Sequence, residues 1–163
     1  MRYYLLIFAF FFFFSCKKEE KIYYSNGKPK YINVWDGNIL KVNRYDENGD
    51  LLFVGNYKDN QLVDTVFVYG QEDDYFIKID SSYKNFFYGT YISKYSTGKS
   101  AKISLLRFKK NKDIDSILAS SLLYGKELVY EPNGKLARET HYKIVGDSSI
   151  KVSEKIYNDS QNK

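Results

Sequence analysis

A recurring turn motif places the strongest constraint on how this chain can fold. Residues 45–69 contain two turns, Asn48-Gly49 and Asp59-Asn60, set between runs of alternating apolar and polar residues. Asn-Gly in such a setting is the strongest short-range signal for a β-hairpin, and it predicts a type I′ turn with positive φ at both central residues. Asp and Asn also tolerate left-handed backbone, so the second pair predicts a second hairpin turn.

The same kind of turn is found along most of the chain. A Tyr followed within four residues by Gly stands at residues 24–27, 45–49, 95–98 and 130–134. The turns separate about a dozen short segments at the spacing expected of an all-β domain. Aromatic residues make up 18% of the chain, and Tyr and Phe suit half-buried strands. We therefore predict an all-β fold, an antiparallel meander of short strands, with a closed or half-closed β-barrel as the alternative.

A second repeat is visible at an offset of 51 residues, where residues 57–67 align with residues 108–118. Aromatic, Lys, Asn, β-branched, Asp and hydroxyl positions meet residues of their own kind. Because residues 63–68 have strong β propensity, the alignment predicts a strand at 114–123. The alternative is a helix capped by Asp113, since several apolar residues fit one helical face: Ile114, Ile117, Leu118 and Leu122.

These motifs resemble the MORN-variant repeat of bacterial toxin–antitoxin-associated and lipoprotein families. The best copy is residues 125–136 followed by Tyr142, and the second is residues 45–57. The resemblance implies stacked β-hairpins in an elongated, twisted sheet, with a binding or scaffolding role more often than catalysis. A single hairpin is marginal in water, so neighbouring hairpins must stack. We expect each Tyr to cover its hairpin with the ring and to leave the hydroxyl in water.

Residues 1–15 predict a lipoprotein signal peptide. Arg2 precedes an apolar run that is shorter than the roughly 20 residues of a membrane-spanning helix, and Ser15-Cys16 follows. The segment resembles the signal peptides of bacterial lipoproteins, although Phe13 stands where Leu is usual. The resemblance implies that Cys16, the single Cys of the chain, becomes an acylated N-terminus. A plain secretory signal or a membrane anchor with an incidental Cys is the alternative.

The remaining boundaries follow from this interpretation. Residues 16–21 are predicted to be the acylated Cys and a charged tether, residues 22–157 the β-repeat domain, and residues 158–163 a frayed tail. The charged run at 17–21 resembles the short signal that directs some Gram-negative lipoproteins to the outer face of the outer membrane. The resemblance implies an outer-membrane location, with the periplasmic and the surface-exposed side both open.

The charges argue against nucleic acid as a partner. The net charge of +5 falls to +4 once Arg2 is removed, and basic and acidic residues alternate along the chain without a basic stripe.

Residues that could perform chemistry are sparse. His141 is the only His, and residues 46–50 resemble a calcium-binding loop but lack the Gly and Glu that an EF-hand needs. Motifs of hydrolases and of phosphate-binding or dinucleotide-binding loops are absent from the sequence. We therefore expect a protein that is not an enzyme and that uses no cofactor and no metal.

The leading hypothesis is a lipid-anchored envelope protein whose β-repeat domain serves as a binding or scaffolding module for another protein or for the envelope itself. Aromatic side chains are enriched at binding hot spots, which makes several rings candidates for the binding face: Tyr23, Tyr24, Tyr31, Trp35, Tyr91 and Tyr95. Two alternatives stay open. One is an immunity or antitoxin-like protein, carried over from the family resemblance, and the other is a carrier of a small ligand or glycan.

Overall fold

The chain forms one antiparallel sheet in which all strands follow one another in chain order. The computed structural model describes residues 17–69, 75–111 and 113–157. Each strand pairs with the next one along the chain. The strands are β1 (Lys18–Tyr23), β2 (Pro29–Asp36), β3 (Ile39–Tyr45), β4 (Leu51–Lys58), β5 (Gln61–Val68), β6 (Tyr75–Tyr83), β7 (Phe86–Lys94), β8 (Ser100–Lys109), β9 (Leu122–Tyr130), β10 (Leu136–Val145) and β11 (Ser148–Ile156).

The predicted all-β meander is confirmed, and the barrel alternative is wrong. β1 and β11 lie at opposite ends of the strand order, and the sheet is not closed. Lys18 to Lys21, expected to be tether, form most of β1. The predicted signal peptide, Cys16, residues 70–74 and the predicted tail at 158–163 fall outside the described residues.

The predicted strand at 114–123 is wrong over its first part, which forms helix α1 (Ile114–Ala119). The Asp113 side chain caps this helix, because its carboxylate accepts a hydrogen bond from the Ser116 main-chain N–H at 2.9 Å. In the alignment at offset 51, Leu62 stands opposite Asp113, and a Leu cannot cap a helix. Asp113 therefore distinguishes residues 108–118, where a helix begins, from residues 57–67, where a strand begins.

The turn at Asn48-Gly49 is a hairpin turn, as predicted, but it is not type I′. Gly49 has a φ of 88°, whereas Asn48 is not among the residues with positive φ. The Asp46 N–H donates to the Asp50 carbonyl and the Gly49 N–H donates to the Asp46 carbonyl, which makes a three-residue loop. At Asp59-Asn60 both residues do have positive φ, 51° and 60°, as a type I′ turn requires.

One face of the sheet carries the core, and we call it the core face. It presents Phe53, Phe87 and Phe108, each at most 3% exposed, and α1 packs on it through Ile114 and Ile117. Full burial of a side chain of this size stabilises the fold by about 1.5–3 kcal/mol. The opposite face, which we call the outer face, is not covered by another element among the described residues.

Candidate binding surface

Hydrogen bonds between turns join successive hairpins along the side of the sheet where these turns connect the strands. The Tyr24 hydroxyl donates to the Tyr45 carbonyl at 2.8 Å, and the Lys28 ammonium donates to the Asn48 carbonyl at 2.6 Å. The expectation that Tyr hydroxyls point into water is therefore wrong for Tyr24. In this turn the Tyr and Lys of the motif serve to stack one hairpin on the next.

The second half of the chain repeats this geometry. The Tyr95 hydroxyl donates to the Tyr130 carbonyl at 2.6 Å, and the Lys99 ammonium donates to the Asn133 carbonyl at 2.7 Å. Residues 95–99 have the same loop hydrogen bonds as residues 24–28. Two separate pairs of hairpins thus use the same contacts, which shows that the Tyr and Lys positions are structural in both.

A row of directly opposed residues crosses the core face from β5 to β11 and changes from apolar to polar. In strand order it consists of Val66, Ile77, Tyr91, Ser104, Glu127, Thr140 and Glu154. The apolar end belongs to the core, whereas the polar end includes a carboxylate with only 3% exposure at Glu127. A buried carboxylate is costly unless it is paired.

Glu127 is paired on several sides. The Lys102 ammonium lies 2.9 Å from its carboxylate and the Arg138 guanidinium 3.6 Å, while the Ser104 hydroxyl donates a hydrogen bond at 3.2 Å. Arg138 also approaches Glu154 at 3.9 Å. The two carboxylates and two cations form a charge-balanced cluster on the core face.

Helix α1 separates two open grooves on the core face. The larger groove has a volume of about 430 Å³ and runs between α1 and the first strands; we call it the N-terminal groove. Its lining is mostly apolar and aromatic and consists of Ile22, Tyr31, Asn33, Leu40, Val42, Tyr57, Asn60, Asp113 and Ile114. An ion pair between Arg44 of β3 and Asp115 of α1 ties the helix to these strands, and its hydrogen bond raises the pKa of Arg44.

The smaller groove has a volume of about 290 Å³ and lies on the other side of α1; we call it the C-terminal groove. Tyr75 and Tyr91 pack against each other there, with ring centroids 4.9 Å apart. Leu118 of α1 forms one wall, and Lys102 lies at the polar end of the groove next to Glu127.

The structure distributes the six candidate rings over different places. Tyr31 and Tyr91 line the N-terminal and the C-terminal groove respectively. Trp35 shares the core face with Tyr31 but stands beyond the groove, where the Lys18 ammonium lies 5.0 Å from its ring. Tyr23 is more than half exposed and belongs to neither groove. Tyr24 and Tyr95 are committed to the contacts between turns.

Several groove residues were not found from the sequence. Tyr57 and Tyr75 are examples, and burial raises the pKa of both hydroxyls, that of Tyr57 to about 12. Strand alternation could have placed Tyr57 beside Leu40 on the core face, because these two residues are directly opposed in β3 and β4. The position of α1, which creates the grooves, had no comparable signal.

Lysines that alternate with acidic residues in sequence are concentrated on the outer face. Cross-strand pairing places exposed lysines there on most strands: Lys21, Lys41, Lys58, Lys78, Lys94, Lys109, Lys126, Lys143 and Lys155. Carboxylates pair with some of them, such as Glu19 with Lys21 and Glu139 with Lys126. These lysines share one face because successive side chains of a strand point to opposite faces of the sheet.

His141 lies on the outer face and contacts a carboxylate. Its Nε2 is 2.7 Å from Glu139, and hydrogen bonds from His141 and Lys126 lower the pKa of that carboxyl. Within the described ranges, no three His, Cys, Asp or Glu side chains come together in a possible metal site. No helix there has the length and apolar character needed to cross a membrane.

Comparison with known proteins gives one family. The MORN repeat variant matches this chain at residues 18–35, 41–59 and 123–143. These segments coincide with β1 and β2, with β3 and β4, and with β9 and β10, so each match spans most of one hairpin. No curated protein and no solved structure matches the chain.

Proposed function

Because the chain carries repeats of the MORN variant, we propose that it is a protein-binding module held at a bacterial cell envelope by a lipid on Cys16. The repeats build the β-repeat module. Its open core face supports the role in protein binding, and the apolar run followed by Ser15-Cys16 supports the lipid anchor. The two parts of the proposal are separable and are tested separately.

The N-terminal groove is the observation that carries the binding role. It combines apolar walls, such as Leu40 and Val42, with the ring of Tyr31 and a polar rim at Asn60 and Asp113. Protein interfaces have the same anatomy, an apolar centre with aromatic anchors inside a polar rim. A partner that inserts apolar side chains beside Tyr31 would remove this surface from water.

Site-specific photo-cross-linking in intact cells tests the binding role. A photoreactive residue at Tyr31 faces the groove, whereas one at Lys41, on the next strand, faces the opposite side of the sheet. We expect a discrete protein adduct from position 31 that decreases when Leu40 is changed to Asp. Equal adducts from both positions, or no adduct from position 31, would refute the assignment of the groove.

Fractionation of cells that carry Cys16→Ala tests the anchor. The unchanged protein should sediment with membranes and be released by detergent. The variant should be either unprocessed or soluble after export, since no acyl chain can be attached. A cleaved Cys16→Ala protein that still sediments with membranes contradicts the anchor.

The C-terminal groove favours a second candidate function, the binding of a small ligand or glycan. Its packed pair of rings, Tyr75 and Tyr91, resembles the aromatic platforms on which planar or sugar groups stack. Calorimetric titration with envelope glycan fragments should then show saturable binding that Tyr91→Ala removes. The immunity or antitoxin-like role stays a prediction from the family resemblance.

A further inference from the structure

The two edges of the sheet differ in chemistry. β1 is a charged edge strand, because four of its six residues are Lys or Glu. Charged side chains discourage pairing with another strand. β11 instead exposes large apolar residues: Ile150, Val152 and Ile156 are 43%, 59% and 62% exposed. In the part of the chain that the structure describes, β11 hydrogen-bonds with β10 alone. The main-chain N–H and C=O groups on its free side can therefore form hydrogen bonds with another strand.

The sequence of β11 is complementary to itself. The strand contains a bulge, because Lys151 and Ser153 have partners on β10 whereas Val152 has none. The extra residue places Lys151 and Glu154 on the same face, three positions apart. When two copies of β11 run antiparallel with their centre between Val152 and Ser153, Lys151 of each copy stands opposite Glu154 of the other. Opposite charges at directly facing positions stabilise a strand pair.

We propose that β11 pairs antiparallel with β11 of a second copy of this chain, about a two-fold axis between Val152 and Ser153. The pairing joins two sheets edge to edge and gives hydrogen-bond partners to the main-chain groups on the free side of both strands. A two-fold axis generates each Lys151–Glu154 contact twice, as in any self-complementary interface.

The charge pattern selects this occupant over the alternatives. A partner strand gains favourable contacts when it presents a cation opposite Glu154 and an anion opposite Lys151, and β11 itself does both. One strand pair is smaller than the interface of a permanent dimer, so the association is concentration-dependent. Lys151 and Glu154 both belong to the edge strand and contact each other at 3.4 Å within one chain, so the dimer exchanges this contact for two contacts between chains.

Charge reversal tests the pairing. The full-length protein, purified in a density-matched detergent, is studied by sedimentation equilibrium over a range of concentrations. Lys151→Glu places two carboxylates opposite each other at both contacts, and Glu154→Lys places two ammonium groups there. Each variant alone should dimerise about tenfold more weakly, because two attractive contacts become repulsive. A mixture of the two variants brings opposite charges together again and should recover the dimer.

The mixture makes the test independent of folding, since a misfolded variant would not regain a specific partner. Lys143→Glu, the matched control, carries the same charge change on β10, away from the edge, and should leave the dimer unchanged. A protein that is monomeric at every concentration overturns the proposal. A dimer that both single variants retain, or one that the mixture fails to restore, overturns it as well.

Discussion

The hydroxyl of Tyr24 donates a hydrogen bond to the main-chain carbonyl of Tyr45, the residue that precedes the equivalent turn of the next hairpin. Tyr95 makes the same contact with Tyr130. Together with the bonds from Lys28 to Asn48 and from Lys99 to Asn133, these bonds join the turns of neighbouring hairpins. They explain why the repeat needs a Tyr at this position, where an apolar ring alone would leave the carbonyl unpaired.

Removal of the hydroxyl should therefore destabilise the domain without changing its surface. We expect Tyr24→Phe and Tyr95→Phe each to lower the free energy of unfolding by about 1 kcal/mol, the usual net value of a protein hydrogen bond. Urea denaturation followed by circular dichroism gives the measurement. Tyr23→Phe, on a ring that is more than half exposed, is the control and should have almost no effect; an equal loss there would contradict the role of the turn contacts.

Helix α1 should stabilise the domain by packing on the core face. Ile117 is only 1% exposed, so Ile117→Ala leaves a cavity and should reduce the free energy of unfolding by about 3 kcal/mol. Ala119→Ser, at an exposed position of the same helix, should be nearly neutral. If both substitutions cost the same in thermal or urea unfolding, α1 is not packed as described.

The charged cluster at the polar end of the core face should depend on Glu127. Glu127→Gln removes the carboxylate that pairs with Lys102 and leaves Arg138 with only its longer contact to Glu154, and we expect a loss of about 2 kcal/mol of stability. Glu139→Gln on the outer face is the matched control, and its effect on urea denaturation should be much smaller because Lys126 stays in water. A double change of Glu127→Gln with Lys102→Met should recover part of the loss, since it removes one of the unpaired charges.

Alkaline unfolding should report the buried hydroxyl of Tyr57. Burial raises its pKa from 10.0 to about 12, so the folded protein holds this proton more tightly than the unfolded chain does. The contribution to stability is complete below pH 10 and is lost as the pH rises through about 12. Each pKa unit corresponds to about 1.4 kcal/mol, so Tyr57→Phe should flatten the decline in stability over this range. Tyr83→Phe, at an exposed ring, should leave the decline as it is.

Sequence patterns predicted the part of the molecule that depends on local rules. The antiparallel meander follows from turns at regular spacing, and strand alternation explains why Leu40 and Tyr57 meet on one face. Turn residues also located the hairpin ends, although the type of turn at Asn48-Gly49 depends on how many residues close the loop. That count comes from the register of β3 and β4, which the turn residues alone do not set.

The candidate site was predicted less well because it is assembled from distant parts of the chain. Tyr31 and Ile114 line one groove although they are far apart in sequence. No period or spacing connects two such positions; they meet because β1 to β8 lie side by side and α1 then returns over the sheet. The six rings selected for their chemistry were divided between grooves and turns for the same reason.

The sequence by itself determined the class of fold, the order of the strands and the repeat to which the turns belong, since these depend on contacts within one or two hairpins. The tertiary structure decided that residues 114–119 form a helix, because capping by Asp113 and burial of Ile117 outweigh a strand-like pattern. It also decided that Tyr24 and Tyr95 hold neighbouring turns together, since a hydroxyl finds its partner only after two hairpins have stacked.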